Sequence, residues 1–127
     1  MQSTLRKLLL VLPLLIMFGC AAHVVHPGTA NSFDSDSYDA LLITNNTIVQ
    51  TKASLAAGSF PPAIAGNVKT ALNALIKVYD DADTAYLAYH NAAMAGTATP
   101  AQSSAVTAGL SNVSSATTNL TNAKGAK

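Results

Sequence analysis

The chain has 127 residues, with seven Lys and Arg against six Asp and no Glu, a formal net charge of +1. Half of the residues are hydrophobic, 10% are charged, there is no Trp, and the one cysteine excludes an internal disulfide. No basic stripe is present to hold phosphates, which argues against nucleic-acid binding.

The first element is a leader. Arg6 and Lys7 precede an apolar run of 11 residues, Leu8–Phe18, interrupted only by Pro13. A spanning helix needs about 20 apolar residues, and His23 and His26 soon follow, so residues 1–19 read as a secretory signal. Without them 108 residues remain, with five Lys and six Asp, a net charge of −1 and room for one modest domain. The order Met17-Phe18-Gly19-Cys20 resembles the lipobox of bacterial lipoproteins. That resemblance implies cleavage after Gly19 and a covalent lipid on Cys20, with no other cofactor. Two or more acyl chains, at roughly 0.8 kcal/mol per buried methylene, hold a protein firmly on a membrane. Family members prefer Leu and a small residue where this chain has Met17 and Phe18, which bears on processing efficiency. By the same resemblance, Ala21 after the cysteine favours the outer membrane, facing the periplasm or the surface.

Residues 20–34 read as a flexible, lipid-linked tether, with Pro27 and Gly28 and no helical period. A three-helix bundle is expected over 35–122. Asp34 or Ser35 can cap the first helix, whose apolar face is read from Tyr38, Leu41, Leu42, Asn45, Ile48, Val49, Lys52, Leu55 and Ala56. In that stripe a buried Asn45 would fix register, and Lys52 would snorkel. Gly58 ends the helix and Pro61-Pro62 opens the next. The second helix runs from about Pro62 to Ala95, with a stripe of Ile64, Val68, Ala71, Leu72, Leu75, Val78, Tyr79, Ala82, Ala85, Tyr86 and Tyr89. Gly96 closes it and Thr99-Pro100 opens the third, reaching about Asn122. There only Val106, Leu110, Val113 and Leu120 are large and apolar, in a Ser/Thr/Asn background of poor helix propensity. Residues 123–127 read as a tail.

Short loops make successive helices antiparallel. Pivoting about them sets Leu41 near Val78, Asn45 near Ala74, Leu110 near Tyr86 and Val113 near Asp83. The expected fold is all-α, an antiparallel three-helix bundle with a long central helix. It is staggered, so that the upper end of the central helix is half wrapped and open to cover by the tether and Phe33.

Candidate chemistry is sparse. Tyr79, Asp83, Tyr86 and His90, spaced 4, 3 and 4, form a ridge at the border of the second helix's stripe. As a ligand site it would use His90 as a base or ligand oriented by Asp83; as plain structure, the tyrosines bury rings and leave hydroxyls wet. One His and one carboxylate do not complete a metal shell, and no metal is expected. His23 and His26 stand three apart in the tether without fixed geometry. Asp80, Asp81 and Asp83 lack the glycine and terminal Glu of a calcium loop and read as a solvated face, with Lys77 in pairing range. An N-terminal lipid, an Ala-rich helical body and a final lysine, Lys127, are similar in layout to the major murein lipoprotein. That resemblance, confined to the two ends, implies attachment of Lys127 to peptidoglycan. The reading is therefore a small non-catalytic envelope lipoprotein, held to the membrane by its lipid and acting through a protein partner or as a homo-oligomer. The alternatives are a periplasmic module binding a small ligand or metal, and a membrane-to-wall tether.

Overall fold

The computed structural model describes residues 25–126, so the signal segment, Cys20, His23 and Lys127 lie outside the described residues. Three helices follow in chain order: α1 (Ser32–Ala56), α2 (Pro62–Met94) and α3 (Pro100–Gly125). The described residues form an all-α antiparallel bundle around α2, which at 33 residues is the longest helix.

Local chemistry sets the boundaries. Asn31 caps α1, its Oδ1 accepting the Asp34 N–H at 3.0 Å, so the cap lies three residues ahead of Asp34. α1 and α2 end alike. The Ser59 N–H reaches Ser54 O at 3.0 Å and the Gly58 N–H reaches Leu55 O at 3.1 Å. The Thr97 N–H reaches Ala92 O at 2.8 Å and the Gly96 N–H reaches Ala93 O at 3.1 Å. Gly58 and Gly96 take φ of 67° and 71°, the left-handed step that this closure requires and that glycine accepts without strain. α3 opens on a reciprocal capping box: Thr99 Oγ1 accepts the Gln102 N–H, and Gln102 Oε1 accepts the Thr99 N–H. That cap and the packing of Val106, Val113 and Leu120 offset the helix's poor propensity.

The core runs the length of the bundle. Leu41 and Ile48 of α1, Val68, Leu72, Leu75, Ala82, Tyr86 and Tyr89 of α2, and Val106, Val113 and Leu120 of α3 are all buried. The α2 stripe is placed as its spacing predicts. The α1 stripe is not: its inward face is Leu41, Thr44, Ile48 and Thr51, while Leu42, Asn45, Val49 and Lys52 are exposed. Two threonines can occupy the inward face because each donates its hydroxyl to a carbonyl one turn back, Thr44 to Ala40 O at 2.8 Å and Thr51 to Thr47 O at 2.7 Å. Asn45 thus has no buried role in register.

The stagger expected from the loops is also absent. Asn31 meets Tyr89 near the end of α2, and Leu55 shares a hollow with Ala65, so α1 spans nearly all of α2. Gly109, rather than Val113, comes against this part of α2, at Ala82, a shift of about one turn from the pivoted register. α3 continues through the expected tail, and Lys124 donates to Thr51 Oγ1 at 2.7 Å. Residues 26–31, expected within the tether, lie bound against the bundle, and Phe33 covers the upper end of α2 edge-to-face with Tyr89, ring centres 5.0 Å apart.

Candidate functional site

Where residues 26–31 cross the upper end of α2, polar groups converge on one buried carboxylate. Asp34, in the first turn of α1, is 0% exposed. Its Oδ2 accepts the Ala30 N–H at 2.7 Å and faces His90 Nδ1 at 2.8 Å, with Oδ1 at 3.1 Å from the same nitrogen. The Tyr86 hydroxyl lies near enough for the Asp34 carboxylate to hold its proton on. An ionised carboxylate only accepts, so Nδ1 is the ring nitrogen that carries hydrogen, and Asp34 fixes the His90 tautomer.

Around this centre the strap is pinned at further points. The His26 N–H donates to Ser35 Oγ at 3.0 Å, and Thr29 Oγ1 donates to His26 O at 2.7 Å. Asn31 Nδ2 donates to the Tyr89 hydroxyl at 3.0 Å. His26 Nε2 meets Asp39 Oδ1 at 2.7 Å, both side chains well exposed, so that contact is worth at most about 1 kcal/mol. The Tyr86 and His90 rings lie 5.7 Å apart at 31°, and Tyr38 stands 6.5 Å from Tyr86.

The four residues of the expected ridge divide here. Tyr86 and His90 join the Asp34 cluster and line a cleft of about 390 Å³ with His26, Thr29, Tyr38 and Leu87. Tyr79 and Asp83 sit a turn below, sharing a smaller hollow of about 180 Å³ with Tyr38, Leu42 and Tyr86. Asp83 does not orient His90; Asp34 does, from 56 residues away. A helical ridge puts residues of one helix in a row, but it carries no information about which residue of another helix lies opposite. The one available signal was a carboxylate amid the first helix's small polar residues, and that position also reads as a cap.

Electrostatics make Tyr86 a hydrogen donor. Its hydroxyl is pushed up to about 12, first by burial, then by the charge and the hydrogen bond of Asp34, with smaller contributions from Tyr38 and Asp83. Tyr79 is raised by burial, then by Asp83 and Asp80. Both phenols therefore stay protonated at neutral pH. Among the described residues no group of three or more His, Cys, Asp or Glu is placed to hold a metal ion, and no helix is long and apolar enough to cross a membrane. The cluster's bonds chiefly fasten residues 26–31 to α1 and α2. His90 Nε2 is the ring nitrogen not committed to Asp34, and it is the one atom of the dyad suited to accept a proton or a ligand hydrogen.

Comparison with protein-family models, curated proteins and solved structures finds no match to this chain.

Proposed function

We propose that this is a small, non-catalytic lipoprotein of the bacterial cell envelope, whose helical body works by contact with another protein. The carrying observation is Cys20 at the end of Met17-Phe18-Gly19-Cys20, behind Arg6, Lys7 and the apolar run. Its position relative to the bundle supports the reading. Only five residues separate Cys20 from His26, which the strap's bonds to Ser35 and Asp39 fix to α1. A lipid on Cys20 would thus hold the bundle within about 20 Å of the membrane surface, with the His26–Asn31 strap taking the load. The use of Asp34, Tyr86 and Tyr89 as fasteners supports a structural role for this cluster over a reactive one.

The test is mass analysis of the peptides around Cys20 and Lys127, from protein taken out of its native envelope after digestion of the cell wall. Acyl mass on Cys20, with loss of membrane association on Cys20→Ala, is expected. A Cys20 peptide without lipid overturns the anchor. Muropeptide mass on Lys127 would turn the role into a membrane-to-wall tether.

A second reading rests on the cleft between the strap and α2, where His26 and His90 line one wall set with Tyr38 and Tyr86. As a binding module it would take a small ligand or metal there. Titration calorimetry with divalent metals, on the native chain and on His90→Gln, tests it: heat that disappears in the variant supports metal binding, and no heat from either removes it.

A further inference from the structure

α1 buries Leu41 and Ile48 but carries a second apolar row on the outside. Tyr38, Leu42 and Val49 are 42%, 44% and 55% exposed, whereas Ser35, Ser37, Thr44 and Thr51 are buried. Steps of four and three put Tyr38, Leu42, Asn45, Val49 and Lys52 in one row along α1. Across a groove from that row run Lys69, Asn73 and Ile76, then Asp83 and Leu87, of α2. The groove holds two hollows, of about 550 and 180 Å³, lined by α1 and α2 alone. From Tyr38 to Lys52 it is about 21 Å long. α3 packs on the other side of this pair, so the groove is open below the strap, whose His26 stands edge-on to Tyr38 at its upper end.

Charge along the face is ordered. Asp83 lines the upper hollow and Lys52 and Lys69 the lower, and Asp39, paired with His26 of the strap, stands at the upper end of α1. The order is symmetric about the middle. The midpoint of Asp39 and Lys52 falls between Asn45 and Asn46, and so does the midpoint of Leu42 and Val49. On α2, Lys69 and Asp83 stand seven residues to either side of Ile76. Ile76 and Asn45 are at similar height, since Asn45 shares the upper hollow with Tyr79 while Ile76 closes the lower one.

We infer that this face is a self-association surface on which a second copy of the chain lies antiparallel, about a two-fold axis passing at Asn45 and Ile76. In that arrangement Leu42 of each copy meets Val49 of the other, and each acidic end meets the other's lysines. A two-fold interface uses the same patch twice and must complement itself when reversed. The charge order meets that condition, which no unrelated partner would impose. Apolar contact at the centre then contributes the affinity, while the charges fix orientation and exclude the parallel pairing that would set Asp against Asp. The inference goes beyond the lipid anchor and does not depend on it.

The experiment uses the full chain with Cys20→Ser, purified in detergent, carrying one new cysteine: Asn45→Cys, or Ser115→Cys on the exposed outer side of α3. A disulfide needs Cβ atoms about 4 Å apart, so residues at the axis meet their own copy and residues on α3 do not. On oxidation, Asn45→Cys should form covalent dimer several-fold faster than Ser115→Cys. Adding Lys52→Asp with Lys69→Asp should slow that cross-linking about tenfold through like-charge contact. Mixing that chain with one carrying Asp83→Lys, which leaves the His26–Asp39 contact intact, should restore it in part, as a mixed dimer. Every substituted position within the helices is at least partly exposed, and circular dichroism confirms that each variant is helical. Equal rates at Asn45 and Ser115 overturn the inference and leave the groove to another occupant, such as the Cys20 acyl chains or a foreign protein. Cross-linking at Asn45 that ignores the charge changes overturns the antiparallel arrangement.

Discussion

Asp34 is the residue on which the upper end of the molecule turns. A buried carboxylate is tolerated only where its oxygens are occupied, and here the Ala30 N–H and His90 occupy them. Truncation by Asp34→Ala removes the partner of both groups at once and should lower unfolding free energy by about 3 kcal/mol in urea titrations. His90→Gln should cost about 1 kcal/mol. In the double variant the losses should fall short of their sum, since the second change removes an interaction already gone; strict additivity would show that the dyad is not coupled. Tyr86 gives a separate reading of the same centre. Up to pH 10 its phenol is protonated in the folded and the unfolded chain alike. Between 10.0 and about 12 only the unfolded chain has released the proton, so stability falls as pH rises, by roughly 2 kcal/mol over the window. Denaturant titrations at pH 9 and pH 12 should show this loss in the native chain, over and above whatever Tyr86→Phe retains.

Helix packing turns on how closely two backbones approach. A Cβ added at Gly109 would stand 3.0 Å from both Cα and Cβ of Ala82, and since one of those atoms is helix backbone, it cannot swing aside. Gly109→Ala gains about 1 kcal/mol in helix propensity but meets an overpacking penalty of about 1–3 kcal/mol, so a net loss near 1 kcal/mol is expected by thermal unfolding. Gly66 has open space at the same point, and Gly66→Ala should raise stability by up to about 1 kcal/mol. A glycine that only weakens a helix in sequence is, at 109, the reason α3 can lie against Ala82. This marks what is legible at the element scale. The α2 stripe reads correctly because its inward positions stay apolar for about seven turns. The α1 stripe does not, because its inward face uses Thr44 and Thr51, whose hydroxyls are satisfied by their own helix, while Leu42 and Val49 face outward. Hydrophobic period reports where apolar side chains lie, and in α1 two apolar rows lie side by side. The start of α1 is missed for a related reason: Asn31 and Asp34 are both good caps, and only the return of the strap, through Ala30 to Asp34, distinguishes them.

At the scale of the whole molecule, the central fact is a thin core. Among the described residues eleven buried hydrophobic residues, one of them Ala82, serve all three helices, and domains of about a hundred residues retain only about 5–15 kcal/mol of net stability. Meanwhile α1 leaves Leu42 and Val49 in solvent, and α2 leaves Leu87 49% exposed. If a second copy covers that face, as inferred above, folding and association are linked and part of the stability belongs to the dimer. Mass action then requires the unfolding midpoint to rise with protein concentration. Melts of the full chain in detergent over a hundredfold range of concentration should show that rise. Val49→Asp places a charge beside the axis without touching the core, since Val49 is 55% exposed. Its midpoint should be independent of concentration and equal to that of the native chain at the dilute limit. Should the native chain melt at one temperature throughout, the thin core alone sustains the fold and the α1–α2 face adds nothing to it.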